Sequence, residues 1–132
     1  MKLIIAGSRS LDGPRVYNEI AEFAKCWSYG LVPRGVISEI ISGCARGVDQ
    51  VGERYALDHS IQCKRFPADW GKHKYAAGHI RNREMAEYSD SLLAIWDGAS
   101  RGTENMIETM RKLGKSLHVV RLEAARRYSP WE

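Results

Sequence analysis

Three arginines stand in or beside short stretches of small residues. Arg9 follows Gly7-Ser8, Arg46 lies within Ser42-Gly43-Cys44-Ala45-Arg46-Gly47, and Arg101 lies within Gly98-Ala99-Ser100-Arg101-Gly102-Thr103. Glycines let backbone approach a ligand closely, and the free N–H groups of a first helical turn attract an anion. Ser100 and Thr103 add hydroxyl donors, and the guanidinium adds a fixed positive charge. A phosphate is the natural guest of such a turn; the plainer reading is a strand–helix turn with a Ser/Thr cap. Arg81 is the anomaly. Ala77, Arg81, Met85 and Tyr88 recur on one helical face, so Arg81 falls in the stripe that should pack on a sheet. A guanidinium in that position needs an anion, either a carboxylate such as Asp69 or Asp97 or the phosphate or ribose of a ligand.

The acids are Asp49, Asp69, Asp97 and Glu104. Asp97 follows an apolar run directly, where it can bind ribose hydroxyls, act as a general acid or base, or cap the next turn. Glu104 can serve the same chemistry or interact with the positive end of a helix. Asp49, also in a first helical turn, is assigned to the helix dipole. Trp70 and Trp96 can stack on a base or fill the core.

The elements that must position these groups follow from apolar periodicity. Residues 2–6, 36–41, 62–66, 92–96 and 116–121 read as strands, most clearly Leu92–Trp96, an unbroken apolar run suited to burial on both faces. Helices are predicted from Pro14 with Asp12 near its start, from Val48, over 75–88 and from about Thr103 to Gly114. Residues 29–35 and 67–71 read as loops. Strands alternating with helices imply a parallel sheet with right-handed crossovers and helices on both faces. The predicted fold is a three-layer α/β domain spanning residues 1–132, with strand order 3-2-1-4-5 and residues 122–132 as a tail. That order puts the first and fourth strands side by side. The turns 7–10, 42–47 and 97–103 then meet at the carboxyl edge, where such sheets bind ligands. Four arginines there would repel one another unless an anion were held between them.

Composition narrows the class. At 132 residues with 44% hydrophobic and 27% charged, the chain has one domain's worth of core and no run long enough to span a bilayer. No membrane partner is expected. Met1 leads straight into the first strand, so no leader is expected and the cytoplasm is the predicted location. The net charge of +4 fits an anionic ligand and falls short of a nucleic-acid footprint. Cys26, Cys44 and Cys63 are odd in number and never paired as Cys-x-x-Cys, and the four histidines have no ligand spacing. No metal and no cofactor are expected.

Five blocks in order carry a family resemblance: Gly7-Ser8-Arg9, Ser42-Gly43-x-Ala45-x-Gly47-x-Asp49, Ala68-Asp69-Trp70, Ala77-Gly78-x-x-Arg81-Asn82-x-x-Met85, and Trp96-Asp97-Gly98-x-Ser100-Arg101-Gly102-Thr103. Over residues 3–120 the chain resembles the YspA/YpsA-related branch of the SLOG superfamily, found in bacteria and their phages. The resemblance implies a Rossmann-like fold and a site for a nucleotide or nucleotide-derived ligand. Paired subunits are common in the resembling families, so a homo-oligomer is expected. The Lonely-guy-type phosphoribohydrolases are also similar and place their catalytic arginine on Arg81. Their catalytic glutamate position is occupied here by Met106, and their Pro-Gly-Gly opening is absent.

The expected function is therefore binding of a nucleotide-like, ribose-phosphate ligand by a sensing or sequestering module. The expected binding residues are Gly7, Ser8, Arg9, Ser42, Gly43, Arg46, Asp69, Trp70, Asn82, Gly98, Ser100, Arg101, Gly102 and Thr103. The alternative is an N-glycosidic-bond-cleaving phosphoribohydrolase using Arg81 with Asp97 or Glu104. A third reading is single-stranded nucleic-acid binding, with Arg126, Arg127, Tyr128 and Trp131 offering charge and stacking.

Overall fold

The computed structural model describes residues 1–28 and 37–123. Its strands are β1 (Lys2–Gly7), β2 (Glu39–Ser42), β3 (Gln62–Arg65), β4 (Ser91–Trp96) and β5 (Ser116–Arg121). Its helices are α1 (Gly13–Ser28), α2 (Val48–Asp58), α3 (Trp70–His73), α4 (Ala77–Tyr88) and α5 (Arg101–Lys112). All strand pairs are parallel, and the sheet runs β3-β2-β1-β4-β5, the order expected from the βα alternation. β1 sits at the centre, with Ile4 opposite Ile41 on one side and Leu92 on the other.

The central strands are apolar because both their faces are covered. Leu3 and Ile5 point into one cluster with Val16 and Ile20 of α1 and Val48, Tyr55 and Ala56 of α2. Ile4 and Ala6 point into the opposite cluster with Met85 and Ala86 of α4 and Met106, Ile107 and Met110 of α5. The molecule thus has three layers, α1 and α2 on one face and α4 and α5 on the other. Each fully buried Leu or Ile contributes about 1.5–3 kcal/mol to holding the layers together. Among the described residues no helix is long and apolar enough to cross a membrane.

Several boundaries differ from those read in the sequence. β2 begins at Glu39 and runs on to Ser42, because it follows its register with β1, Lys2 opposite Glu39. β3 ends at Arg65, one residue early; the Phe66 N–H still donates to the Ser42 carbonyl. The stretch 67–71, expected to be loop, contains the start of α3, whose first turn is capped by Asp69 accepting from the Lys72 N–H at 3.0 Å. α4 starts at Ala77 rather than Tyr75. Lys74 has φ of 52°, so a 3-10 turn over Lys74–Ala76 intervenes. The predicted loop 29–35, the proposed strand start at Val36, and tail residues Arg126, Arg127, Tyr128 and Trp131 lie outside the described residues.

Candidate anion-binding crevice

The turns after β1, β2 and β4 meet at the carboxyl edge, as the strand order requires. The first two are packed backbone against backbone. Gly47 has φ of +79°, and a Cβ there would stand 2.5 Å from the Ser8 carbonyl oxygen and 2.7 Å from that of Arg9. Only glycine fits both the left-handed conformation and the close approach. The third turn is held by Asp97. Its carboxylate accepts from the N–H groups of Ala99 and Ser100, both at 2.8 Å, and from the Ser10 hydroxyl at 3.2 Å. The Ser8 hydroxyl in turn takes the Asp97 N–H at 3.0 Å. After this turn α5 begins, and the N–H groups of Arg101, Gly102 and Thr103 meet no acceptor among the described residues.

Arg81 stands at the junction of these turns. It is half-buried, and burial lowers its pKa from the usual arginine value, with the Arg9 charge acting in the same direction. Its Nη1 donates to the Gly43 carbonyl, and its Nε donates to Asn82 Oδ1 at 3.0 Å. Asn82 is the polar residue of α4 that is buried, alongside Ala77, Met85 and Ala86. It fastens α4 to α5 by donating to the Gly102 carbonyl at 3.2 Å and to Asn105 Oδ1 at 2.9 Å. Of the stripe that periodicity predicts, Ala77 and Met85 are buried and Arg81 and Tyr88 are half-buried; Asn82 and Ala86 are buried beside them, so Arg81 lies at the rim of the packed face. Neither expected carboxylate partner reaches it, since Asp69 caps α3 and Asp97 caps its own turn. Among the described residues no carboxylate oxygen lies within 4.0 Å of the guanidinium.

The nearest acid is Asp49, which the sequence reading left to the helix dipole. It is only 4% exposed. It accepts from the Ala45 N–H at 3.2 Å and from the Gly7 N–H, and so ties the first two turns together. A Cβ on Gly43 would stand 2.8 Å from Arg81 Nη1 and 2.9 Å from Asp49 Oδ2, so the two groups face each other across Gly43. Burial pushes the Asp49 carboxyl up to about 6; the two N–H donors and the Arg81 charge oppose that rise, and Glu53 adds to it. Asp97 goes the other way. Its two backbone donors hold it below the usual carboxylate range.

Three cavities share Arg81 as a wall. The innermost, about 60 Å³, is lined by Gly7, Arg9, Ala45, Asp49, Arg81, Asn82, Ser100, Gly102 and Thr103, with Ala6, Met85 and Met106 as its apolar floor. The second, about 180 Å³, adds Gly43, Cys44, Pro67, Ala68 and Trp70. The third, about 250 Å³, runs past Asp69, Lys72, His73 and Glu84. Among the expected site residues, these cavities gather Gly7, Arg9, Gly43, Asp69, Trp70, Arg81, Asn82, Ser100, Gly102 and Thr103. They do not gather Ser8, Ser42, Arg46, Asp97, Gly98, Arg101 or Glu104. Ser42 turns inward, donating to Glu53 Oε2 at 2.6 Å, and Arg46, Arg101 and Glu104 are exposed. Trp96 is committed to the Ser100 carbonyl through its indole N–H at 3.0 Å.

A roomier groove, about 480 Å³, lies elsewhere, between α1 and α2. Its cation Arg54 pairs with Asp58 at 3.0 Å, and the Tyr17 hydroxyl donates to the same acid at 2.8 Å. Asp12 adds a second negative charge. The larger groove thus carries a cation already ion-paired, whereas Arg81 in the smaller crevice makes no ion pair among the described residues.

A parallel βα sheet with glycine-bearing turns converging at its carboxyl edge defines a Rossmann-like domain. The model of the YspA, cpYpsA-related SLOG family matches residues 1–73, and the chain belongs to that family. The matched stretch holds the turns after β1 and β2 with Asp49; Arg81 and the α5 turn lie beyond it. No curated protein and no solved structure matches the chain significantly.

Proposed function

We propose that the protein binds a nucleotide or nucleotide-derived ribose-phosphate ligand in the crevice around Arg81. The observation that carries this reading is the guanidinium itself. It is half-buried, held in place by a backbone carbonyl and an amide, and paired with no carboxylate. A positive charge oriented by neutral groups keeps its attraction for an incoming anion. The phosphate sits between Arg81, Arg9 and the free N–H groups opening α5. The adjoining cavity, which shares Arg9, Ala45 and Arg81, takes the planar part of the ligand against Trp70, a residue 54% exposed.

Binding is favoured over cleavage of the N-glycosidic bond. Asp97 and Glu104, the acids available for that step by sequence, do not line the crevice, and Met106 does. The test is a thermal-shift panel of nucleoside mono- and diphosphates, ADP-ribose and ribose 5-phosphate on the wild type and Arg81→Ala. A ligand at one hundred times its dissociation constant stabilises the wild type by about 2.7 kcal/mol. The variant should show no shift, and no free base should be released. A panel without any shift would remove the proposal.

A further inference from the structure

Asp49 is a buried acid placed where an anion is to bind, and the binding reading has no use for it. It lines the same 60 Å³ crevice as Arg81 and faces it across Gly43 without reaching ion-pair distance. A phosphate on Arg81 in so small a space would lie against the Asp49 carboxylate. Two like charges a few ångströms apart in a buried site do not both remain ionised. We propose that Asp49 couples ligand binding to proton uptake: the anion seated on Arg81 is accepted together with a proton on the Asp49 carboxyl. The inference rests on the ligand reading above and adds its pH dependence.

The surroundings make Asp49 the group that takes the proton. α4 presents Arg81, and the turn after β1 presents Arg9. The turn after β2 presents the Cys44 thiol beside the adjoining cavity. α5 brings only the uncharged Ser100, Gly102 and Thr103 to the crevice. On α2 itself Glu53 is tied to the Ser42 hydroxyl at 2.6 Å and to Arg65 at 3.3 Å, outside the crevice. Burial has already carried the Asp49 carboxyl up to about 6, so an approaching anion needs to raise it little further for protonation near neutral pH. The ionised carboxylate partly offsets Arg81 when the site is empty, and protonation removes that offset when the site is filled.

Calorimetry with ADP-ribose tests this, because its pyrophosphate diester keeps a constant charge between about pH 5 and 8. Wild-type affinity should rise as pH falls, by up to about tenfold per unit between the free and bound Asp49 pKa values. At pH 7 the heat should depend on buffer ionisation enthalpy in the sense of net proton uptake. Asp49→Asn should bind at pH 7 at least as tightly as the wild type, with no buffer dependence. Should that variant fail to fold, the ¹³C resonance of the wild-type Asp49 carboxyl carries the test, its midpoint moving up on saturation. Binding by the wild type with no proton uptake and no pH dependence overturns the coupling and leaves the ligand reading standing. No binding of ADP-ribose at any pH overturns the coupling for this ligand, and whether the wider nucleotide panel is also silent decides the ligand reading separately.

Discussion

The turn after β2 and the turn after β4 are built alike and behave oppositely. Each joins a buried strand to a helix through small residues and has an aspartate beside it, Asp97 in the loop itself and Asp49 in the first turn of α2. Asp97 is only partly buried, receives two backbone N–H groups at 2.8 Å and is held below the usual carboxylate range by them. Asp49 is buried, receives donors from two different turns and is pushed up to about 6. The first carboxylate shapes a loop. The second faces Arg81 across the vacant side of Gly43. Position relative to the sheet edge does not decide which acid serves a site; burial and the direction of the donors do.

The largest effect should come from breaking the cation that the comparison turns on. Arg81→Ala removes charge-assisted contacts to the ligand and should weaken nucleotide binding by about 100-fold or more, measured by calorimetry. Asp49 sharpens the comparison through stability. Its folded pKa is raised from 3.8 to about 6. The stability it contributes is therefore present in full below the unfolded value and lost as pH rises through about 6. That loss is about 3 kcal/mol across the window, and Asp49→Asn should flatten it in denaturant titrations between pH 4 and 7.5. Asp97 has the opposite sign: its contribution is present above the unfolded value and lost as pH falls through the depressed one. Asp97→Asn should cost about 1 kcal/mol as a lost cap and leave ligand affinity within about twofold, since it lies outside the crevice. Trp70→Ala should give the smallest change. It should weaken a nucleotide by roughly fivefold through lost stacking and leave ribose 5-phosphate unaffected in the same assay.

The strand order and the meeting of three turns were legible because βα alternation leaves few topologies and apolar runs mark doubly covered strands. The arrangement of side chains around the candidate crevice was legible less finely. The stripe through Ala77 and Met85 packs as its periodicity predicts, but a buried face spans more than one row of side chains, so Asn82 is buried beside it while Arg81 stays half-buried. Asp49 was hidden because an acid in a first helical turn is ordinarily explained by the helix dipole. One of its donors, Gly7, lies 42 positions away and meets it only when the sheet has formed. Ser42 misled for the converse reason, its partner Glu53 being supplied by α2. The four-residue α3 is too short for any period to show.

Amide and arginine side-chain chemical shifts in ¹⁵N-labelled protein, titrated with ADP-ribose and nucleoside monophosphates, test the central claim most directly. The account predicts saturable shifts at Gly43, Ala45, Gly102, Thr103 and the Arg81 Nε, with the α1–α2 groove residues Tyr17, Gln50 and Arg54 unmoved. Shifts confined to that groove, with Arg81 silent, would contradict it.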